Sequence, residues 1–344
     1  MLSRRTATAL TSAAAAALLL GGTAPTASAA SASPTTLSVL AFNVDLGTAI
    51  VDSTQNEQAA RRTPVIEQLI RQHNADVVIL DEQFNNSSTA DINTKLADLY
   101  PYRTPVVGQT CSGGGWTGVS GNCSNSWFVI NGGTMILSKY PITAQYAHVF
   151  SNSTYGTWDY HANKGAALVR VNKNGGTAWV VGTHLQADES GTSTDTTQST
   201  RLGQLAEIRA WVDGIAGSGA PVLIGGDLNV EYFHGQGRGD YTNAQNAVNG
   251  VLGTPATDPS QTRTTMDCPV SSWCQYMAGV ETFPADYRDD LDYIGYLNAP
   301  GRPVPTAMSN VKVDFDPQAG WAPGQLDTNA PSDHYPVEAT FQLN

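Results

Sequence analysis

The chain is 344 residues long and carries 18 Lys+Arg against 30 Asp+Glu, a formal net charge of −12. Only 14% of its residues are charged and 41% are hydrophobic, which excludes a disordered acidic tail. The acidic balance also excludes a broad basic surface for nucleic acid and simple electrostatic adsorption to anionic lipid, but not a small acidic site for metal ions.

Residues Met1 to Ala30 combine a positive start (Arg4, Arg5), an apolar stretch around Ala13 to Leu20, and the small-residue string Ala27-Ser28-Ala29. This pattern predicts a secretory signal peptide over 1–29 and a single exported, extracellular domain over 30–344. Leu37 to Phe42 alternates as a strand and ends at Asn43; Glu57 to His73 has helical spacing with Pro64 inside it. Asp76 to Leu80 reads as a buried strand delivering Asp81 and Glu82, followed by strands at Thr134–Ser138 and Ala166–Val171. Ala178 to Thr183 is a strand that delivers His184, Asp188 to Thr200 reads as an exposed loop, and Arg201 to Ile215 is a helix with Leu205, Ile208 and Val212 on one face. Pro221 to Gly226 is a strand ending at Asp227; Asp292 to Leu297 and Tyr335 to Phe341 are the last two. Helices falling between pairs of strands predict an α/β sandwich with mixed sheets. Cys111, Cys123, Cys268 and Cys274 form an even set for an oxidising compartment, and the local pairing 111–123 and 268–274 is the favoured one of three.

Asn43, Glu82, His184, the Asp227–Asn229 pair and Asp333–His334 all sit at or just beyond strand ends. Alone, each reads equally well as a turn, cap or core residue. Together, carboxylates and amide oxygens suit a hard divalent cation, and two histidines supply proton handling near neutral pH. Those are the parts needed to hydrolyse a phosphate ester.

The strings LAFNV, DEQF, GTHLQA, GGDLNV, LDYI and SDHYPV occur in this order across nearly the whole predicted domain. With them the chain resembles the endonuclease/exonuclease/phosphatase superfamily, whose fold is deoxyribonuclease-like. YPYRTPVVG at 100–108, SKYPI at 138–142 and NKG at 163–165 make it most similar to the secreted bacterial neutral sphingomyelinases C. The resemblance implies a four-layer α/β/β/α sandwich and hydrolysis of sphingomyelin to ceramide and phosphocholine. It implies Mg²⁺ as cofactor, with Mn²⁺ or Co²⁺ as substitutes. Glu82 matches the main metal-binding glutamate, with Asn43 beside it and Asp333 as the acidic neighbour facing the metal. Asp227 and Asn229 match the pair that contacts phosphate, metal or water. His334 matches the general base, Asp292 the carboxylate that orients it, and His184 the histidine that stabilises the reacting phosphate or assists the leaving group. Two further expectations are that Asp188 orients His184 and that Lys164 places a positive charge near the phosphate.

There are two departures from the family pattern. An edge metal site of some relatives needs an Asn, matched by Asn86, and an acidic pair, which here falls at Ile130-Asn131. The aromatic hairpin of haemolytic relatives is replaced by Asp316 to Pro331, where Trp321 is the one aromatic anchor candidate, so weak membrane insertion is expected. The partner is then sphingomyelin or a related phospholipid at a membrane surface, met by a monomer, with no nucleic acid. The rival readings are a phospholipase C of the same fold preferring glycerophospholipid or ethanolamine headgroups, and a secreted nuclease.

Overall fold

The computed structural model describes residues 35–47, 53–233, 237–253, 264–271, 273–275, 284–313 and 331–343. The predicted signal peptide and Trp321 lie outside the described residues. Among them no helix is long and apolar enough to cross a membrane.

In chain order the elements are β1 (Thr36–Leu46), α1 (Ser53–His73), β2 (Val77–Gln83), α2 (Asn86–Lys95), β3 (Tyr102–Arg103), β4 (Gly118–Gly121), β5 (Met135–Ser138) and β6 (Ile142–Val149). Then follow β7 (Gly165–Lys173), β8 (Gly176–Thr183), α3 (Thr194–Ala216), β9 (Val222–Asp227), α4 (Gly237–Val248), β10 (Gly250–Gly253) and β11 (Met266–Asp267). The chain closes with β12 (Arg288–Asp289), β13 (Asp292–Leu297), β14 (Thr306–Lys312) and β15 (Val337–Gln342). One sheet runs β14-β15-β1-β2-β5-β3 and the other β10-β13-β9-β8-β7-β6-β4. Both are mixed: β1 pairs parallel with β2 and antiparallel with β15, while β9 pairs parallel with β8 and antiparallel with β13.

Side chains alternate across a strand, and β1 uses both faces. Leu37, Val39 and Ala41 point between the sheets, where they meet Ala167, Val169, Val180, Leu223 and Ile294. Leu40, Phe42 and Val44 point the other way, into Ile66, Leu69 and Ile70 of α1. The second sheet repeats the scheme, with Val181, Val222 and Ile224 packed against Leu205, Ile208 and Val212 of α3. Burial on two faces explains why these strands read as apolar runs rather than clean alternations. The result is the α/β/β/α sandwich that the motifs imply.

One expectation needs correction, and one helix carries no signal in the sequence pattern. The stretch Asp188–Thr200 is not all loop, because α3 begins at Thr194. Ser193 caps it by accepting the Thr196 N–H, and Asp195 stands in the first turn, so a Ser/Thr-rich segment is helical. Helix α2 carried no apolar periodicity; its start is fixed by Asn85, whose side chain accepts from the N–H groups of Ser87 and Ser88. Both disulfides form as favoured, Cys111–Cys123 and Cys268–Cys274.

Candidate active site

Strand register brings the polar residues to one end of the sandwich. Asn43 sits opposite Asp81 in the first sheet, and Asp227 opposite Asp292 in the second. The sheets are joined there by side chains: Asn43 Nδ2 donates to Asp227 Oδ2 at 2.9 Å and to Glu82 Oε1 at 2.8 Å, while its Oδ1 accepts from the Asp45 N–H at 3.0 Å. Asp81 completes the joint, accepting from the Asp227 N–H at 3.0 Å and from Thr134 Oγ1 at 2.6 Å. Gly226 permits it: a Cβ there would stand 2.0 Å from the Thr183 carbonyl oxygen, at φ +134°. Asp45, Glu82 and Asn229 adopt φ of 46°, 58° and 50°, a left-handed region that non-glycine residues rarely occupy. Such outliers gather where packing over-determines them, commonly at functional sites.

Asp333–His334 arrives on a short turn before β15. Ser332 Oγ donates to the Asn43 carbonyl at 2.7 Å and accepts from the His334 N–H at 3.1 Å. His334 Nδ1 lies 2.8 Å from Asp292 Oδ2, and its Nε2 is 3.8 Å from Asp227 Oδ2. Thr265 Oγ1 accepts the Asp292 N–H at 3.2 Å and so steadies the orienting carboxylate. Asn229 follows Asp227 in a tight turn, its N–H donating to Asp227 Oδ1 at 2.9 Å and its Nδ2 to the Leu185 carbonyl at 3.2 Å.

The two histidines, both buried, shift in opposite directions. Burial lowers the pKa of His184, and the cations Lys164 and His334 lower it further, to well below the ordinary imidazole value. Burial alone would lower His334 too, but Asp292, Asp227 and Asp333 outweigh it and hold its pKa well above that value. His184 is therefore the neutral ring. Its Nε2 lies 3.1 Å from Lys164 Nζ, so that nitrogen accepts and Nδ1 carries the proton; Nδ1 is buried with no hydrogen-bond partner among the described residues.

The expectation that Asp188 orients His184 is overturned. Asp188 Oδ1 accepts from Arg201 at 2.9 Å and from the Thr197 hydroxyl, because α3 starts early and draws that carboxylate to its own first turns. Lys164 takes the place beside His184, held by Asp159 Oδ1 at 2.7 Å and the Leu185 carbonyl at 3.0 Å. Asp81, Asp45, Arg62 and Asp159 were not singled out as site residues by their motifs. Asp45 and Arg62 form a buried pair, 3.6 Å apart, behind Glu82, and Arg62 also lies over the Trp273 ring. The Asp81-Glu82 string was the only sequence signal for any of them.

Two groups have ligand atoms within 4.8 Å of one another: Glu82, His184 and Asp227, and Asp227, Asp292 and His334. Burial raises Glu82 to about 8, reinforced by Asp45 and Asp333, and raises Asp227 to about 6, reinforced by Asp292. Asp227 is buried and Glu82 half-buried, with too little positive charge beside them, since Arg62 faces Asp45 and Lys164 is held by Asp159. An oxygen-rich donor set in that state fits a hard divalent cation. The lone pair of His184 Nε2 faces Lys164, which leaves the carboxylates as the better donors.

At the position of the edge site the chain offers amides instead of an acidic pair. Asn131 Nδ2 donates to the Phe84 carbonyl at 3.3 Å and to Asn86 Oδ1 at 3.5 Å, and Asn131 Oδ1 accepts from the Gly133 N–H. They line a cavity of about 370 Å³ with Gln109, Ser124 and Asn125, and none of its lining residues is acidic.

Residues 40–334 match the model of the Endonuclease/Exonuclease/phosphatase family. Sphingomyelinase C of Listeria ivanovii is 35% identical over 246 residues, covering 70% of this chain and 68% of that protein. The crystal structure of sphingomyelinase C from Streptomyces griseocarneus superposes with a TM-score of 0.71 at 28% identity, over 89% of this chain and 99% of that one. A beta-toxin mutant from Staphylococcus aureus, crystallised with bound magnesium ions, gives a TM-score of 0.72 at 28% identity, over 89% and 99% of the two chains. Sheets, register and family match agree: the chain belongs to the Endonuclease/Exonuclease/phosphatase family and, within it, to the sphingomyelinase C enzymes, which are hydrolases.

Proposed function

We propose that the protein is a Mg²⁺-dependent phosphodiesterase of the phospholipase C type that cleaves sphingomyelin into ceramide and phosphocholine. The observation that carries this reading is the His334–Asp292 pair, 2.8 Å apart, set against the buried carboxylate Asp227 at 3.8 Å. Asp292 accepts a hydrogen bond from His334 Nδ1–H and so directs Nε2 toward the space beside Asp227; a cation held by Glu82 and Asp227 would offset the negative charge that raises the His334 pKa and would leave Nε2 unprotonated, able to act as a base. His334 Nε2 then accepts a proton from water as the water attacks phosphorus in line, opposite the ceramide oxygen. Glu82, with Asp227, would hold the ion; Asn43 keeps the two carboxylates together and Asp333 adds negative charge beside them. When bound, Mg²⁺ supplies charge neutralisation on the phosphoryl oxygens. Asn229 helps place the attacking water or a phosphoryl oxygen, its backbone fixed by Asp227. Lys164, which donates to His184 Nε2 at 3.1 Å, places a positive charge near the reacting phosphate, and the pair stabilises the negative charge that develops on the leaving side.

The N-terminal sequence and the two disulfides support export to an oxidising, extracellular setting. A panel of sphingomyelin, phosphatidylcholine, phosphatidylethanolamine and plasmid DNA, each with Mg²⁺ and with EDTA, tests the reading. Phosphocholine release from sphingomyelin that needs Mg²⁺ is expected. Activity that survives EDTA, a preference for phosphatidylethanolamine, or DNA cleavage in place of lipid hydrolysis would each contradict it.

A further inference from the structure

Five large aromatic side chains stand out of the surface on two adjacent loops. Trp127 is 83% exposed and Tyr155 82%, with Phe128, Trp158 and Tyr160 also largely in solvent. Trp127 and Phe128 stack at 3.6 Å between ring centroids, and Tyr155 meets Tyr160 edge-on at 5.2 Å. Isolated exposed apolar residues need no explanation, but clustered ones mark a surface that is covered in use.

The platform is firmly built. The Ile130 N–H donates to the His161 carbonyl and the Asn163 N–H to the Ile130 carbonyl, both at 3.0 Å, tying the two loops together. Glu189 accepts the backbone N–H groups of Trp158 at 2.7 Å and Asp159 at 3.1 Å. Asp159 in turn accepts from the Ala187 N–H at 2.7 Å and holds Lys164, which touches His184. The aromatic turn is thus linked to the active site by a short chain of direct contacts.

The charge around these rings selects the occupant. The segment 124–131 (SNSWFVIN) has no charged residue, and 154–161 (TYGTWDYH) has only Asp159, already paired, and a histidine. With a chain of net charge −12, nothing here attracts an anionic surface, and no acidic patch invites a basic protein. Trp and Tyr are the side chains that settle at the level of lipid headgroups, ring inward and polar edge outward. We propose that Trp127, Phe128, Tyr155, Trp158 and Tyr160 form a docking face that seats the protein on a zwitterionic, phosphocholine-headed bilayer with the active site turned to it. This rests on the reading that the substrate is a membrane phospholipid.

The test separates docking from chemistry. Binding to vesicles of equal parts sphingomyelin and phosphatidylcholine is measured by sedimentation in EDTA, and hydrolysis of a short-chain sphingomyelin below its micellar concentration is measured with Mg²⁺. Trp127→Ala/Phe128→Ala is expected to weaken vesicle binding ~10-fold or more and to leave hydrolysis of the monomeric lipid within about twofold. Tyr155→Ala/Trp158→Ala is expected to act in the same sense. Unchanged vesicle binding, an equal loss on the monomeric lipid, binding by the native protein to phosphatidylglycerol vesicles only, or a native dimer that the substitutions dissolve would overturn the proposal. If the native protein failed to hydrolyse the monomeric lipid, the functional reading would fall while the EDTA arm still decided the docking face.

Discussion

Glu82, Asp227, Asp292 and Asp333 lie where the ends of two sheets meet, and the rings of Trp127, Phe128, Tyr155 and Trp158 stand on loops nearby with their faces in solvent. The first region is short of positive charge and over-determined by strand register; the second has few charges on its exposed face and is held by hydrogen bonds to Glu189 and Asp159 and between the loops. The contrast teaches how one protein can carry out charge-sensitive chemistry and still meet a lipid surface without a basic patch.

The largest effect is expected at the first region, the carboxylate floor, of which the aromatic loops form the rim. His334→Ala should lower turnover by ~10²-fold or more, as expected for loss of a general base. The loss should be the same on vesicles and on monomeric lipid, and steady-state rates on both substrates check it. Loss confined to vesicles would move His334 to the rim's role. Glu82→Gln comes next: its Mg²⁺ requirement should rise ~10- to 100-fold, seen by titrating activity and by calorimetric binding of the metal. Gly226→Ala tests the joint itself, because its Cβ would collide with the Thr183 carbonyl; thermal unfolding should show a cost of about 3 kcal/mol or more.

The smallest effect lies outside both regions. Burial, reinforced by Asp289 and Asp188, raises Glu231 to about 7. A carboxyl whose folded pKa exceeds its unfolded value stabilises at low pH, and that contribution is lost as pH rises from the ordinary Glu value through about 7. Glu231→Gln should therefore raise the melting temperature at pH 8 and leave it unchanged at pH 4, in paired thermal scans.

The floor was the legible part of the molecule. Asn43, Glu82, His184 and Asp227 each stand at the end of an apolar run and Asp333 just before one, and a strand end is a signal carried by neighbours in sequence. The pairing of Asp292 with His334 is implied by resemblance alone, since 42 residues separate them and they meet only where the strand ends of the two packed sheets come together. Asp188 was misassigned for the opposite reason. Its spacing from His184 was read on a loop, whereas capping by Ser193 starts α3 early and supplies Arg201 as a nearer partner. Lys164 gains its contact with His184 through Asp159, a residue with no motif around it. The rim was illegible because sequence shows that Trp127 and Trp158 are aromatic but not which way they face. Trp321, the aromatic that the family comparison of the sequence singles out, lies outside the described residues.

In the proposed reaction water attacks phosphorus at the carboxylate floor. Hydrolysis of sphingomyelin by the Mg²⁺-supplemented protein in ¹⁸O-enriched water, read by mass spectrometry of both products, tests that directly. One ¹⁸O in phosphocholine and none in ceramide is the result predicted. Label in ceramide, or products formed equally well after the metal is stripped with EDTA, would contradict it.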